Sequence, residues 1–368
     1  MTAPRIIEVL PPSEAFSPAA AGAIALMVAR LFARSEAFAP LVLGPAPPAP
    51  AFPGVAFQPV RPAFRPLRRA MRYAIGVQRA ARALSPALIA VHNRPDIARF
   101  LAGRGAAPVL LCLQNDPQAM RASHTPAARE GLLRVLGGVI VASDFLRRRF
   151  LDGLSPDAAA RVSVVPNCLD FAALPPPLPA TAREPEILYV GRVVADKGVD
   201  GFVAACADAL PRLAGWRASI IGADRFGAAS PETPFLRGIR ERAAQAGITM
   251  HGYRTHDQVL AAMARAAIVA VPSRWDEPFG LTAIEAMASG AALMTTRRGA
   301  LPDLAGGAAL YIDPDDVAGM AQAIIALAGD PERRATLARA GLARARDFDC
   351  AAVLTALDRL RREIVGRG

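Results

Sequence analysis

The stretch Val271-Pro-Ser-Arg-Trp-Asp-Glu-Pro-Phe-Gly-Leu-Thr-Ala-Ile-Glu-Ala-Met-Ala-Ser-Gly290 contains the change of element on which the fold turns. An apolar β-rich run, Ile268–Val271, ends in a proline-containing loop, and a helical pattern begins at Gly280 or Leu281. Strand, loop and helix in that order form half of a parallel α/β unit, in which ligands bind beyond the carboxyl ends of the strands. Glu277 lies in the loop, and Glu285 follows a turn or more inside the helix. Two carboxylates so placed can hold two parts of one elongated polar ligand, while the helix N-terminus between them can receive negative charge. The chain has 12 Glu, so this spacing alone could arise by chance, and the surrounding residues carry the case.

A second segment, Tyr189-Val-Gly-Arg-Val-Val-Ala-Asp-Lys-Gly-Val199, has the same form. Gly191 and Arg192 end a strand, and Lys197-Gly198 opens the next helix. Two cations five residues apart beside helix amides suit a diphosphate. Charge alone leaves open a surface arginine and lysine in an ordinary loop. Lys197 is the single lysine among 43 basic residues, so a compact ammonium here stands out against an arginine-rich background.

Further outward, short β-rich runs alternate with helical patterns throughout. In the first half the strand candidates are Ile6–Leu10, Leu41–Leu43, Leu88–Val91, Val109–Leu113, Val139–Val141 and Val162–Val165, with helical patterns over Pro18–Arg34 and Phe64–Leu84. After a proline-rich stretch from Leu174 to Pro185, alternation resumes with Ile187–Val190, Ala218–Ile221, Ile248–His251, Ile268–Val271 and Ala292–Thr295. The expected fold is α/β, with two Rossmann-like doubly wound domains facing a central cleft. Residues 1–170 are expected to form an N-terminal domain, 171–185 a linker, and 186–346 a C-terminal domain. A final helix in 347–368 is expected to pack back towards the N-terminal domain.

Composition narrows the class. At 53% hydrophobic and 20% charged, the 368-residue chain is not largely disordered. The longest apolar run, Pro18 to Ala33, is interrupted by Arg30 and is too short to cross a bilayer. Met1 to Pro12 has no secretory-signal pattern. Four widely spaced cysteines (Cys112, Cys168, Cys206, Cys350) without CxxC pairs argue against a disulfide framework and against zinc, and fit a reducing cytosol. The formal net charge of +11 sits almost wholly in residues 1–170, densest from Arg61 to Arg82, where arginines alternate with Phe64, Leu67, Met71 and Tyr73. Such a segment suits an anionic membrane surface, or is simply a solvated face. No zinc-finger, RNP or helix-turn-helix spacing supports nucleic acid.

Taken together, Gly191-Arg192…Lys197-Gly198, Pro-Ser-x-x-x-Glu277-Pro-Phe-Gly-Leu-x-x-x-Glu285-Ala-Met-Ala-x-Gly290, Gly299-Ala-Leu-Pro-Asp303 and Asp313-Pro-Asp-Asp resemble the retaining GT-B glycosyltransferases of family 4. The resemblance covers about residues 186–350 by motif and the N-terminal half by layout. It implies that Arg192 and Lys197 neutralise a donor diphosphate without a metal. It also implies that Glu285 binds the ribose hydroxyls, that Glu277 binds the transferred sugar, and that the backbone of Phe279, Gly280, Leu281 and Thr282 meets sugar and phosphate. Gly191 belongs to the same donor loop, and Tyr253 and Arg254 would border the base. In the first domain Gly22 would let the backbone approach the phosphate, although Ser17-Pro-Ala-Ala-Ala-Gly22 replaces the family's common Gly-Gly.

The acceptor or donor-sugar side would include His92 and Asn93 at one strand end and Gln114 and Asn115 at the next, Gln114 standing where many members carry histidine. Asp303 stands where the family often has Glu. Asp313-Pro-Asp315 and Asp347-Phe-Asp349 match the DxD pattern of metal-dependent glycosyltransferases, but their positions favour helix capping. The resemblance thus implies a metal-independent, cofactor-free hexosyltransferase using a UDP-sugar, or second a GDP-sugar. Its acceptor would be a saccharide or lipid-linked, in lipopolysaccharide or exopolysaccharide synthesis, and the enzyme would be cytoplasmic or peripheral at the inner membrane. The alternative from another class is a non-catalytic nucleotide- or polyanion-binding protein. A phosphorylase would need the one lysine as a Schiff base, an epimerase lacks the Glu277/Glu285 segment, and a dinucleotide oxidoreductase lacks GxGxxG after either first strand.

Overall fold

The computed structural model describes residues 3–18, 20–32, 35–64, 67–225 and 230–367. The chain divides into two compact units, Met1–Cys168 with Cys350–Gly368, and Leu169–Asp349. Each is a parallel sheet covered by helices, so the fold is α/β with two Rossmann-like units.

In the first unit the strands are β1 (Arg5–Val9), β2 (Ala39–Gly44), β3 (Ala56–Pro59), β4 (Leu88–His92), β5 (Val109–Leu113), β6 (Gly138–Val141) and β7 (Val162–Val164), in spatial order β3-β2-β1-β4-β5-β6-β7. The inner strands β4, β5 and β6 are buried along their whole length, which explains why their sequences are unbroken apolar runs rather than alternating ones. In the second unit β8 (Glu184–Val190), β9 (Arg217–Ile221), β10 (Thr249–Gly252), β11 (Ala266–Val271), β12 (Ala292–Thr296) and β13 (Ala309–Ile312) lie in the order β10-β9-β8-β11-β12-β13. Its core gathers Tyr189, Phe202, Ile220, Ile239, Ile268 and Met294. Strand order reverses between β1 and β4 in one sheet and between β8 and β11 in the other. These are the two points where such sheets open a crevice for ligands.

Several expectations are corrected. Edge strand β3 follows no apolar run: it is mostly exposed and ends in a proline, both tolerated only at a sheet edge. The helix expected over Pro18–Arg34 is Ala23–Phe32, with turns before it; residues 19, 33 and 34 lie outside the described residues. That expected over Phe64–Leu84 is Arg69–Leu84, with Arg68 as its N-cap; Arg65 and Pro66 are outside the described residues. The proline-rich segment does not stay a linker up to residue 185. Arg183 is buried and donates to the carbonyls of Met263, Ala266 and Ser289, and β8 begins at Glu184.

The cysteine expectation is also corrected. Cys168 and Cys350 form a disulfide. At a sequence separation of 182 no spacing rule can reveal the pair, which meets where the chain leaves the first unit and re-enters it. Cys112 and Cys206 are free and buried. No helix among the described residues is long and apolar enough to cross a membrane.

Candidate functional site

At the β8/β11 switch point two loops are laced together. The loop after β8 ends in a tight turn, Ala195–Lys197, and then Gly198 at φ 68°. A Cβ on Gly198 would lie 1.9 Å from the carbonyl oxygen of Pro272, so only glycine lets the loops approach. The amides of Arg274 and Trp275 donate to the Asp196 carbonyl at 2.9 and 3.0 Å. The Arg274 guanidinium bonds Asp200 (2.6 Å), Asp315 (2.7 Å) and the Ala195 carbonyl (3.1 Å). Donation to Asp200 first, and then to Asp315, outweighs burial and holds this guanidinium above its ordinary pKa. Arg274 is therefore a latch between the loops.

The latch brings the expected charges together. Lys197 Nζ donates to Glu277 Oε1 at 2.5 Å, with both side chains mostly shielded, and lies 5.6 Å from the Trp275 ring centroid. Glu277 is fixed from behind. Gly299 (φ 58°) abuts its backbone so closely that a Cβ would come within 2.3 Å, and Ala300 N–H donates to its carbonyl at 2.8 Å. Arg192 is half-buried, and its carbonyl accepts from the Tyr189 hydroxyl at 2.8 Å. Burial, reinforced by the Glu277 charge, pushes the Tyr189 phenol far above its usual range, so it stays a neutral donor. Gly191 packs directly on Gly222 at the end of β9, where a Cβ would meet the Gly191 carbonyl at 1.8 Å.

Gly280, at φ 105°, turns the chain into the helix Leu281–Ala288, whose N-cap carries no side-chain hydrogen bond. The backbone of Phe279, Gly280, Leu281 and Thr282 thus forms a helix entrance of the kind that receives anions. The Phe279 side chain is core, edge-on to Phe348 at 5.7 Å, leaving only its backbone for a ligand. Glu285 lies one turn inside and is 7% exposed. Its Oε1 is 2.7 Å from His256 Nε2, a partner the sequence reading missed. Nothing local marks His256: 29 residues separate it from Glu285, and only the fold joins them. Tyr253 and Arg254 are exposed in the loop after β10, Arg254 donating to the Tyr253 carbonyl at 3.0 Å. Asp303 is in a short helix, and Arg344 donates to its carbonyl at 2.9 Å. Of the two DxD segments, Asp316 beside the first caps the helix Val317–Gly329, and Asp347 pairs with Arg344.

The first-unit residues serve differently from expectation. The space beside Gly22 is occupied: a Cβ there would lie 2.6 Å from Glu14 Oε1, and that oxygen accepts from Ala25 N–H at 3.0 Å. A carboxylate of the chain itself holds the helix entrance assigned to a phosphate. His92 is buried, with Nε2 2.7 Å from Glu8 Oε2. Glu8, fully buried, also accepts from Arg361 at 2.7 Å, and Arg361 pairs with Asp358 at 3.1 Å. His92 is thus a member of a buried ionic network. Asn93 adopts φ 50°, and its Oδ1 accepts from Gln114 N–H at 2.7 Å, so these two are one unit; Asn115 is exposed. Gln114 and His92 line one small cavity with Cys112 and Asn167. Burial first, and then Glu8, pushes the Cys112 thiol up, which removes it as a nucleophile.

The chain is 32% identical over 244 residues to glycogen synthase of Mycobacterium tuberculosis H37Rv, covering 62% of this chain and 55% of that protein. It is 34% identical over 160 residues to the lipopolysaccharide core biosynthesis mannosyltransferase LpsB of Rhizobium meliloti, covering 42% and 44%. The chain thus spans about half the length of the curated relatives it matches. Among solved structures, Anabaena HepE, determined with UDP and glucose, superposes with a TM-score of 0.77 at 20% identity, over 96% of this chain and 98% of that one. That likeness carries the fold, which is of the GT-B type, with two Rossmann-like units. Residues 184–330, which contain Gly191, Arg192, Lys197, Glu277 and Glu285, match the family Glycosyl transferases group 1.

Proposed function

We propose that this protein is a retaining, metal-independent glycosyltransferase of family 4 that moves a hexose from a nucleoside-diphosphate sugar to a saccharide or lipid-linked acceptor. The observation that carries this reading is the Lys197–Glu277 contact at the β8/β11 switch point, one helix entrance away from buried Glu285. Lys197 and Arg192 supply positive charge for a departing diphosphate, the work a metal does elsewhere. Lys197 has three donors, so it can keep Glu277 oriented while it binds phosphate. Glu277 then accepts hydrogen bonds from sugar hydroxyls and Glu285 from the ribose. In the step itself the bond from the anomeric carbon to the phosphate oxygen breaks and the acceptor oxygen bonds that carbon from the same face. The acceptor proton passes to the leaving phosphate. UDP is the first choice of nucleotide, supported by the UDP-bound HepE structure, and GDP the second.

The LpsB likeness supports an acceptor in lipopolysaccharide or exopolysaccharide synthesis, and with it a cytoplasmic enzyme working at the inner membrane. A specific observation favours membrane contact. Phe64 is 92% exposed and Leu67 and Met71 are exposed beside it, at the start of the arginine-rich helix Arg69–Leu84. Exposed apolar groups in an arginine-rich stretch of chain suit anionic headgroups. Flotation with anionic and neutral liposomes, using the wild type and a Phe64→Ser/Leu67→Ser variant, tests this. Equal recovery of both proteins counts against it.

The function is tested by incubating the protein with a panel of UDP-, GDP- and ADP-sugars and measuring released nucleotide. Release from one donor, with or without an added saccharide acceptor, is the expected result. Binding without release from any donor would make the protein the non-catalytic alternative.

A further inference from the structure

We propose that the second unit carries a binding site for a phosphate monoester at the carboxyl ends of β12 and β13, built on the adjacent guanidinium groups of Arg297 and Arg298. An open cavity of about 420 Å³ lies there, lined by Arg297, Arg298, Tyr311, Ile312, Asp313 and Pro314. Its size is that of a small-molecule site, and it lies at the end of a parallel sheet where ligands bind. None of these six residues is among the donor contacts proposed above.

Both arginines are exposed, and both are held while their donors stay largely unspent. Arg297 stacks over the Tyr311 ring, with Cζ 4.1 Å from the centroid, and makes no ion pair among the described residues. Stacking uses the face of a guanidinium and leaves its N–H donors, which lie in the plane, free to bond. The platform is itself fixed, because the Tyr311 hydroxyl donates to the Gly306 carbonyl at 2.7 Å. Arg298 reaches Asp315 only at 3.8 Å, beyond hydrogen-bond range, and that carboxylate is already held by Arg274 at 2.7 Å. The lining therefore sets two cations against one carboxylate, Asp313, whose Oδ1 accepts from Asp315 N–H at 3.0 Å. A carboxylate ligand would fill one guanidinium fork. A phosphate monoester, close to doubly charged at neutral pH and with three terminal oxygens, can engage two.

The test is calorimetry with glucose 6-phosphate and with dihexanoyl phosphatidate, a water-soluble lipid bearing the same group, with glucose as the neutral control. It compares wild type, Arg297→Gln/Arg298→Gln, and Arg237→Gln/Arg333→Gln, which removes equal charge from exposed positions elsewhere in the unit. All three proteins keep Arg192 and Lys197, so phosphate bound at that loop is common to them. At least one ester should bind Arg297→Gln/Arg298→Gln at least about five-fold more weakly than wild type, as expected for losing charge-assisted hydrogen bonds. The Arg237→Gln/Arg333→Gln protein should stay within about two-fold of wild type, since scattered surface charge contributes little. The ester whose binding falls identifies the source, a soluble sugar phosphate or a lipid headgroup. If the double variant does not fold, Arg297→Gln alone takes its place with a loss of about three-fold. Equal binding of both esters by wild type and the folded Arg297 variant overturns the proposal. An equal loss in Arg237→Gln/Arg333→Gln, or a wild type that binds glucose as tightly as either ester, overturns it too.

Discussion

Lys197, the only lysine in the chain, holds Glu277 at 2.5 Å across the point where the order of the second sheet reverses. Each partner arrives on a different loop, and each loop is shaped by a glycine, Gly198 under Lys197 and Gly299 behind Glu277. The contact is a product of backbone packing as much as of charge. That gives it consequences for stability as well as for chemistry.

Replacing Lys197 by Ala removes a cation from the proposed leaving group and leaves Glu277 without its partner. Turnover should fall by about 10²–10³, the usual loss for one group that stabilises developing negative charge. Lys197→Arg should recover only part of it, because a planar fork does not reproduce a compact ammonium. Steady-state kinetics at saturating donor checks both, with circular dichroism confirming the fold.

Gly198→Ala should destabilise the second unit by about 1–3 kcal/mol from backbone strain, with more from the forced retreat of Pro272. At about 2–4 °C per kcal/mol for a unit of this size, a loss of several degrees in Tm is expected. Gly238→Ala is the contrast. It lies in the helix Pro234–Gln245 with open space around it, and should be neutral or stabilising by up to about 1 kcal/mol. Thermal melts of the two proteins side by side decide the matter.

The buried network of the first unit predicts a strong asymmetry. Arg361→Met takes the guanidinium from the fully buried Glu8 charge, leaving it only the His92 contact, and should cost about 3–5 kcal/mol, whereas pairing it with Glu8→Gln should recover much of that loss. Urea unfolding of the single and double variants measures the difference. His92→Asn should likewise lower stability more than donor binding, since its ring nitrogen is committed to Glu8.

Thiol chemistry offers a count. In the oxidised native protein no thiol should react with Ellman's reagent, because Cys112 and Cys206 are buried and burial pushes both thiols up. Unfolding without reductant should expose those two, and unfolding after reduction all four. Reducing the Cys168–Cys350 bond should lower stability by about 2–5 kcal/mol, read as a drop in Tm with dithiothreitol.

What the sequence made legible follows physical range. Strand β5 lies at Val109–Leu113 as read, because a strand buried on both faces writes itself as an unbroken apolar run. The loops carrying Lys197 and Glu277 were legible because chemistry and turn geometry are encoded within a dozen residues. Edge strand β3 was not, since an edge needs no apolar signature. Neither were the Glu14 carboxylate at Gly22, the His256–Glu285 pair or the Cys168–Cys350 bond, which join residues through the fold rather than along the chain. His92 shows the limit from the other side: a polar residue at a strand end looks like a ligand contact until Glu8 is found behind it.

Sugar transfer with retention is the reaction proposed for the Lys197–Glu277–Glu285 site. Time-resolved proton NMR of the first sugar product formed from the preferred α-linked donor, with wild type and Glu285→Ala in parallel, tests it most directly. The wild type should give an α-configured product and release nucleotide, and Glu285→Ala should do neither. A β-configured first product, or full turnover by Glu285→Ala, would contradict it.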